Sequence, residues 1–228
     1  LASMTHATNC KEISKLISSY GNTVISKKNN SGLADSLNTI ITNTDHEFIA
    51  RMDADDKCES NRLERQLQFM TENACVDVCG SAVEAFGDSK GYRNYPLTHD
   101  DCLKYFKYSD PISHPTAFFR RRFFKKVGLY DSSLKKDQDT ELWARAFHKG
   151  AIFANLPDVL LHFRVTNDQI GRRQNLKRVL TYIKLRWSIN NKLNFGLISQ
   201  LYLLLYVTLT FAPRSFKYLA YRLLYRKL

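Results

Sequence analysis

Three carboxylates, Asp53, Asp55 and Asp56, follow directly on the apolar run Phe48-Ile49-Ala50-Arg51-Met52. Crowded in this way they repel one another unless a cation sits among them. An all-oxygen donor set of this kind suits Mg²⁺ or Mn²⁺, which keeps several waters and takes its remaining ligands from substrate phosphates. The chemistry that the spacing allows is metal-assisted handling of a diphosphate. A solvated acidic turn has the same composition, so these residues alone leave both readings open. A phosphatase with Asp53 as nucleophile is disfavoured, because Lys57, and not Thr or Ser, follows the cluster.

The elements that must position these groups follow from periodicity. Residues 47–52 have the length and composition of a buried strand, whose alternation would put Asp53 and Asp55 on one side with the small Ala54 between them. Upstream, residues 23–28 read as a strand and residues 29–32 as a turn. A helix follows with Leu33, Leu37, Ile40 and Ile41 on one face. Downstream, Asn61 with Glu64 predicts a capping box opening a helix that carries Leu63, Leu67 and Met70 on one side. Residues 76–86 and 116–119 read as further strands. Residues 139–149 read as a helix ending at Gly150, and residues 151–155 and 160–165 as two short strands around Pro157. Such alternation predicts an α/β fold, in which ligands bind beyond the carboxyl ends of the strands, where the acidic cluster falls.

The charge is unevenly placed. The chain of 228 residues carries a net charge of +12, yet residues 1–171 hold 22 basic and 22 acidic side chains, while residues 172–228 hold 12 basic and no acidic ones. A polyanionic partner is implied for the tail. Residues 195–212 are uncharged and rich in Leu and Tyr, which argues against nucleic acid and for an anionic membrane surface. The run is interrupted by Gly196, Ser199 and Gln200, so a helix lying on the membrane or re-entering it is expected in preference to a clean span; a helix completing the core of this domain or of a dimer is the alternative. Residues 168–190 read as a basic amphipathic helix leading into this run, and residues 215–228 as an interfacial one. Five cysteines with no paired spacing predict no disulfide framework, with Cys75 and Cys79 as small buried residues. Together with the lack of a visible leader at the opening residues, this predicts a cytoplasmic location at the inner membrane face.

Several segments, in fixed order, resemble the family 2 glycosyltransferases. Asn30-Ser31-Gly32-Leu33-Ala34-Asp35-Ser36-Leu37-Asn38 is similar to that family's N-x-G-L-A-x-x-L-N helix start, Arg51 to Asp56 to its R-M-D-A-D-D loop, and Arg62 to Gln66 to its R-L-x-x-Q. His114-Pro115-Thr116 with Phe119-Arg120 is similar to H-P-x-x-x-F-R, and Val127-Gly128-Leu129-Tyr130-Asp131 to V-G-x-Y-D. Gln138-Asp139-Thr140-Glu141-Leu142-Trp143 resembles E-D-x-x-L-W, and residues 155–164 resemble N-L-P-x-V-L-x-x-x-R. The resemblance implies a GT-A-like, Rossmann-related mixed sheet flanked by helices and a metal-dependent, inverting transfer from a nucleoside-diphosphate sugar to a hydroxyl of a glycan or lipid-linked acceptor in cell-surface polysaccharide synthesis.

The resemblance also implies residue roles. Asp53 and Asp55 would hold the metal, with Asn30, Asp53 and Arg164 on the donor side, and Asp139 would be the general base. At a helix start, Asp139 could equally be a cap, and the helix dipole there would lower its proton affinity. His114 and Trp143 are candidate acceptor or phosphate contacts. Gln138 stands where the family has Glu, and Thr166 where it often has His. The family's opening strand, Pro-x-Tyr-Asn turn, helix and base-binding strand are not found ahead of residue 30, so roughly 30 residues, one βα unit, are expected to be missing. The expected division is a catalytic domain at 1–171, incomplete at its start, and a helical tail at 172–228. A non-catalytic membrane-bound remnant is the rival reading.

Overall fold

The computed structural model describes residue 25, residues 29–166 and residues 176–211. Apart from Ile25, the strand expected at 23–28 lies outside them, as do the start of the helix expected at 168–190 and the segment 215–228.

The described elements in chain order are α1 (Leu33–Thr42), β1 (Phe48–Ala50), β2 (Lys57–Cys58), α2 (Arg62–Glu72), β3 (Val78–Gly87), β4 (Gly91–Arg93), α3 (His99–Phe106), a 3₁₀ turn (His114–Thr116), β5 (Phe118–Arg120), α4 (Arg122–Val127), α5 (Gln138–His148), β6 (Phe153–Val165), α6 (Leu176–Lys192) and α7 (Gly196–Phe211). Six strands form one mixed sheet in the order β1-β5-β3-β6-β2, with β4 paired to β3. Among the described strands only β3 and β6 run parallel; the other pairs are antiparallel.

The two short strands expected around Pro157 are one strand, β6. Its register against β3 slips between Ser81, Ala82 and Val83, so that Ser81 faces Leu156 and Ala82 faces Val159. Proline has no amide to donate, and a bulge lets the ladder pass it without breaking. The far end of β6 then pairs with β2, Lys57 facing His162 and Cys58 facing Leu161. This brings the acidic loop beside Arg164.

Strand alternation sorts the core onto two faces. Val78, Phe119 and Phe153 point into a cluster built around Trp143 and Phe106, while their neighbours Cys79, Phe118 and Ala154 point into a second cluster with Met70. Ile189 of α6 and Phe195 belong to the first cluster, so the tail begins inside the core. At Gly80 the backbone passes so close to Asn155 and Ile112 that no Cβ would fit, a packing reason for glycine in mid-strand.

α2 departs from its apolar stripe. Leu63 and Leu67 are exposed, and the buried face is Arg62, Gln66 and Met70. The reason is backbone satisfaction: Arg62 Nη2 donates to the Arg51 carbonyl at 2.8 Å and Gln66 Nε2 to the Thr116 carbonyl at 2.9 Å, two loop acceptors that lie outside any ladder. The expected capping box does not form, because the Asn61 side chain makes no capping bond. On α1 the buried positions are Ala34 and Ile41, with Leu33 exposed. Cys75 is exposed, not buried; Cys79 and Cys102 are buried, and with Cys58 all four described cysteines are free thiols.

A left-handed pair, Asn194 and Gly196, turns α6 into α7. α7 adds little to the core of this domain. It buries Ser199 and Leu203 and leaves Leu197, Ile198, Leu201, Leu204 and Leu205 exposed. Among the described residues no helix is long and apolar enough to cross a membrane.

Candidate active site

Beyond the end of β1 the chain turns through the acidic loop, the amide of Asp56 donating to the Asp53 carbonyl at 3.3 Å. The carboxylates therefore sit in a turn, and strand alternation does not apply to them. A cavity of about 760 Å³ opens over this turn. It is lined by Asp53, Asp55, Asp56, Asp110 and Asp139 on the acidic side, by Arg93, Lys136 and Arg164 on the basic side, and by Tyr95, Ser109, Ile112, Ser113, His114, Pro115 and Phe163.

Each acidic side chain has a different environment. Arg51, buried, pairs through Nη2 with Asp53 Oδ1 at 2.5 Å. Asp56 Oδ1 accepts the Arg164 amide at 2.8 Å, and Arg164 Nε donates to the Asp55 carbonyl at 3.1 Å. The Arg164 guanidinium lies 4.9 Å from the Phe86 ring centre. Burial raises the Asp56 pKa above its ordinary value against the opposing Arg164 amide, and the charges of Asp53 and Asp55 raise it further. Among the described residues no three His, Cys, Asp or Glu side chains form a ready metal cage. An oxygen pair that leaves most of the shell to water and phosphate suits Mg²⁺ or Mn²⁺, and Asp53 and Asp55 are the residues that could supply it.

Across the cavity, Asp139 lies in the first turn of α5. Its Oδ1 accepts the Thr140 amide at 3.0 Å and its Oδ2 lies 3.9 Å from His114 Nδ1. It is not the cap, a place taken by Asp137 in the left-handed conformation. Its pKa is pushed up to about 6, first by burial and then by the Asp110 charge, the reverse of what a helix start alone predicts. Burial and the Asp110 charge outweigh the dipole there.

His114 is buried. Its Nε2 lies 2.9 Å from the Tyr130 hydroxyl, and burial together with the Arg51 charge holds its pKa well below the ordinary histidine value, so the ring is neutral. Asn38 grips Tyr130 by both backbone groups, donating to its carbonyl at 2.8 Å and accepting its amide at 2.9 Å. The last Asn of the helix-start motif thus fixes the His114 to Tyr130 contact.

Two of the expected contacts fall elsewhere. Trp143 is fully buried among Phe119, Phe123 and Phe153 and cannot meet an acceptor. Asn30 accepts the Gly32 amide at 3.0 Å in the turn before α1 and is not among the cavity residues. Sequence reasoning missed Asp110, Arg93, Tyr95 and Lys136. Asp110 and Tyr95 lie in irregular segments with no motif around them. Arg93 donates to Ser109 Oγ at 2.8 Å and to the Tyr105 hydroxyl at 3.0 Å.

The sequence pattern of glycosyl transferase family 2 matches residues 7–128. The amylovoran biosynthesis glycosyltransferase AmsE of Erwinia amylovora is 29% identical over 164 residues, 71% of this chain and 61% of the relative. An Escherichia coli UDP-Gal:alpha-D-GlcNAc-diphosphoundecaprenol beta-1,3-galactosyltransferase is 31% identical over 162 residues, 69% of this chain and 58% of the relative. The chain spans a little over half the length of such curated relatives. Among solved structures, S. aureus TarS residues 1–349 in complex with UDP-GlcNAc superposes with a TM-score of 0.58 at 16% identity, over 73% of this chain and 49% of that one. TarS 1–349 alone gives 0.61 at 15% identity, over 84% and 55%. The shared fold is the GT-A-like mixed α/β sheet.

Proposed function

The chain belongs to glycosyl transferase family 2, and from that premise we propose that it carries the metal loop and the general base of an enzyme moving a sugar from a nucleoside-diphosphate donor to a hydroxyl of a lipid-linked glycan. The observation that carries this reading is one cavity holding both the Asp53 to Asp56 turn and a carboxylate, Asp139, whose pKa of about 6 suits proton removal near neutrality.

Asp139 takes the proton from the acceptor hydroxyl as that oxygen attacks the anomeric carbon from the face opposite the departing diphosphate, which inverts the configuration. His114, neutral and held by Tyr130, presents a polar, uncharged edge beside Asp139. The Arg164 side chain, placed by the Asp55 carbonyl and Phe86, faces the diphosphate, and Arg51 holds Asp53 in place. Mg²⁺ or Mn²⁺ held by Asp53 and Asp55 would supply positive charge against the leaving diphosphate. A UDP donor is supported by the names of the E. coli relative and of the TarS complex.

The exposed leucines of α7 and the wholly basic charge of residues 172–228 support a place at an anionic membrane surface on the cytoplasmic side, where lipid-linked acceptors are reached. The decisive experiment is transfer of radiolabelled sugar from UDP-sugars to a diphospholipid-linked acceptor by the full-length protein, with Asp139→Asn as control. No transfer and no metal-dependent donor hydrolysis would favour the non-catalytic reading.

A further inference from the structure

We propose that Asp110 is a positioning residue for Asp139, and that α6 reaches the site through Arg186 as part of the catalytic apparatus. The inference rests on Asp139 being the general base. Asp110 lies between α3 and the 3₁₀ turn, and its two carboxylate oxygens face different ways. Oδ2 accepts the Thr140 hydroxyl at 2.8 Å, and Oδ1 accepts Arg186 Nη2 at 2.8 Å. Thr140 in turn gives its amide to Asp139 Oδ1 at 3.0 Å. Chain distance between the ends of this relay is large: Arg186 comes from the tail, Asp139 from the centre.

The bond from the Thr140 hydroxyl to Asp110 anchors the first turn of α5 from outside the helix. Thr140 is 1% exposed and Arg186 2% exposed, which leaves water little chance to substitute for either partner. Arg186 also gives Nη1 to the Phe106 carbonyl at 2.9 Å and Nε to the Tyr182 hydroxyl at 3.0 Å, and its guanidinium lies 4.8 Å from the Phe106 ring centre. Arg186 is thus fixed on three sides before it meets Asp110. A buried guanidinium this well held belongs to the fold, and its charge is delivered to the cavity wall.

The two charges of this pair act on Asp139 in opposite directions. The Asp110 carboxylate disfavours ionisation of Asp139; Arg186 offsets that carboxylate. The other groups facing Asp139 are Asp137 on its own segment, neutral His114, Tyr130, and Lys136 at the cavity wall. Arg51 lies behind His114 and Tyr130. All of these are unchanged in the variants below.

The test is the pH profile of kcat for sugar transfer by the full-length protein. Asp110→Asn is expected to move the acid limb to lower pH and Arg186→Gln to higher pH, each by about half a unit or more. Arg186→Lys should restore the wild-type limb, and Thr140→Val should lower kcat without moving it. The donor KM should change less than about threefold throughout, since only the base is displaced. Limbs that stay put or move the same way, or a Thr140→Val enzyme with unchanged kcat, overturn the inference. Should Arg186→Gln fail to fold, Asp110→Asn and Thr140→Val decide it. Asp139→Asn with normal turnover would remove the base assignment and this inference with it, whereas an inactive Asp139→Asn with unmoved limbs in the others removes this inference alone.

Discussion

The main-chain amide of Arg164 donates to Asp56 Oδ1 at 2.8 Å, joining two residues 108 positions apart. The bond exists because β6 continues past its bulge far enough to pair with β2, which directly follows the acidic turn. One carboxylate of the cluster is thereby tied to the sheet. Of the other two, Asp53 is paired with Arg51, and both line the cavity.

Asp56→Ala should therefore loosen the turn and weaken nucleoside-diphosphate binding by about tenfold, the value of one charge-assisted hydrogen bond of 1–2 kcal/mol. Asp56→Asn keeps an acceptor at the same place and should bind within about threefold of wild type. Titration calorimetry with UDP compares the two. Equal losses in both variants would mean that the charge of Asp56, and not its bond to Arg164, is what counts.

Asp55→Ala should abolish the metal-dependent part of UDP binding, because Asp53, already paired with Arg51, is a poor sole ligand for Mg²⁺ or Mn²⁺. Calorimetry of wild type and variant with and without each metal reads this directly. The same affinity in all conditions would remove Asp55 from the metal site.

Asp139→Asn should lower transfer by about 10²-fold or more while leaving donor affinity unchanged, since only proton removal is lost. It should also stabilise the fold. A carboxylate whose folded pKa of about 6 lies above its unfolded value costs stability as pH rises from about 4 through 6. The neutral amide avoids that cost, so a gain of about 1–2 kcal/mol is expected at pH 7.5 and none at pH 4. Denaturant melts at the two pH values check the sign. A gain that is larger at pH 4 would contradict the raised pKa.

Gln66→Leu should destabilise the protein by about 2–3 kcal/mol despite its similar volume. The side chain is fully buried and serves both Arg62 Nε at 3.0 Å and the Thr116 carbonyl at 2.9 Å, which the leucine cannot do. Urea unfolding measures the loss. A neutral or stabilising change would show that the buried bonds of Gln66 are not what holds α2.

Replacing Leu197, Ile198, Leu201 and Leu204 together by Gln should leave the melting temperature within a few degrees of wild type, because all four are exposed. It should abolish sedimentation with anionic vesicles in high salt, where charge is screened and apolar burial alone persists. Retained binding would place the membrane contact elsewhere in the chain. Truncation after Gly171 is the poorer test, since it also removes Ile189 and Phe195 from the core.

The acidic turn, the carboxylate Asp139 that shares its cavity and the order of the motifs were legible in the sequence, because each is a short contiguous run whose residue types local chemistry dictates. The strand and helix assignments held for β3, buried on both faces of the sheet over most of its length, and for α5, buried along one face. They slipped where backbone acceptors overruled the apolar pattern, as in α2, and where a bulge carried a strand past Pro157. What only the tertiary structure decided are the relations between distant segments: Asp110 beside Asp139, Arg186 behind Asp110, Arg164 against the acidic turn, and the burial of Trp143. A pKa shows the difference most plainly. From sequence, Asp139 is a helix-start carboxylate of low proton affinity; burial and a second carboxylate 29 positions earlier raise it, because the field at a buried group is set by what the fold brings near.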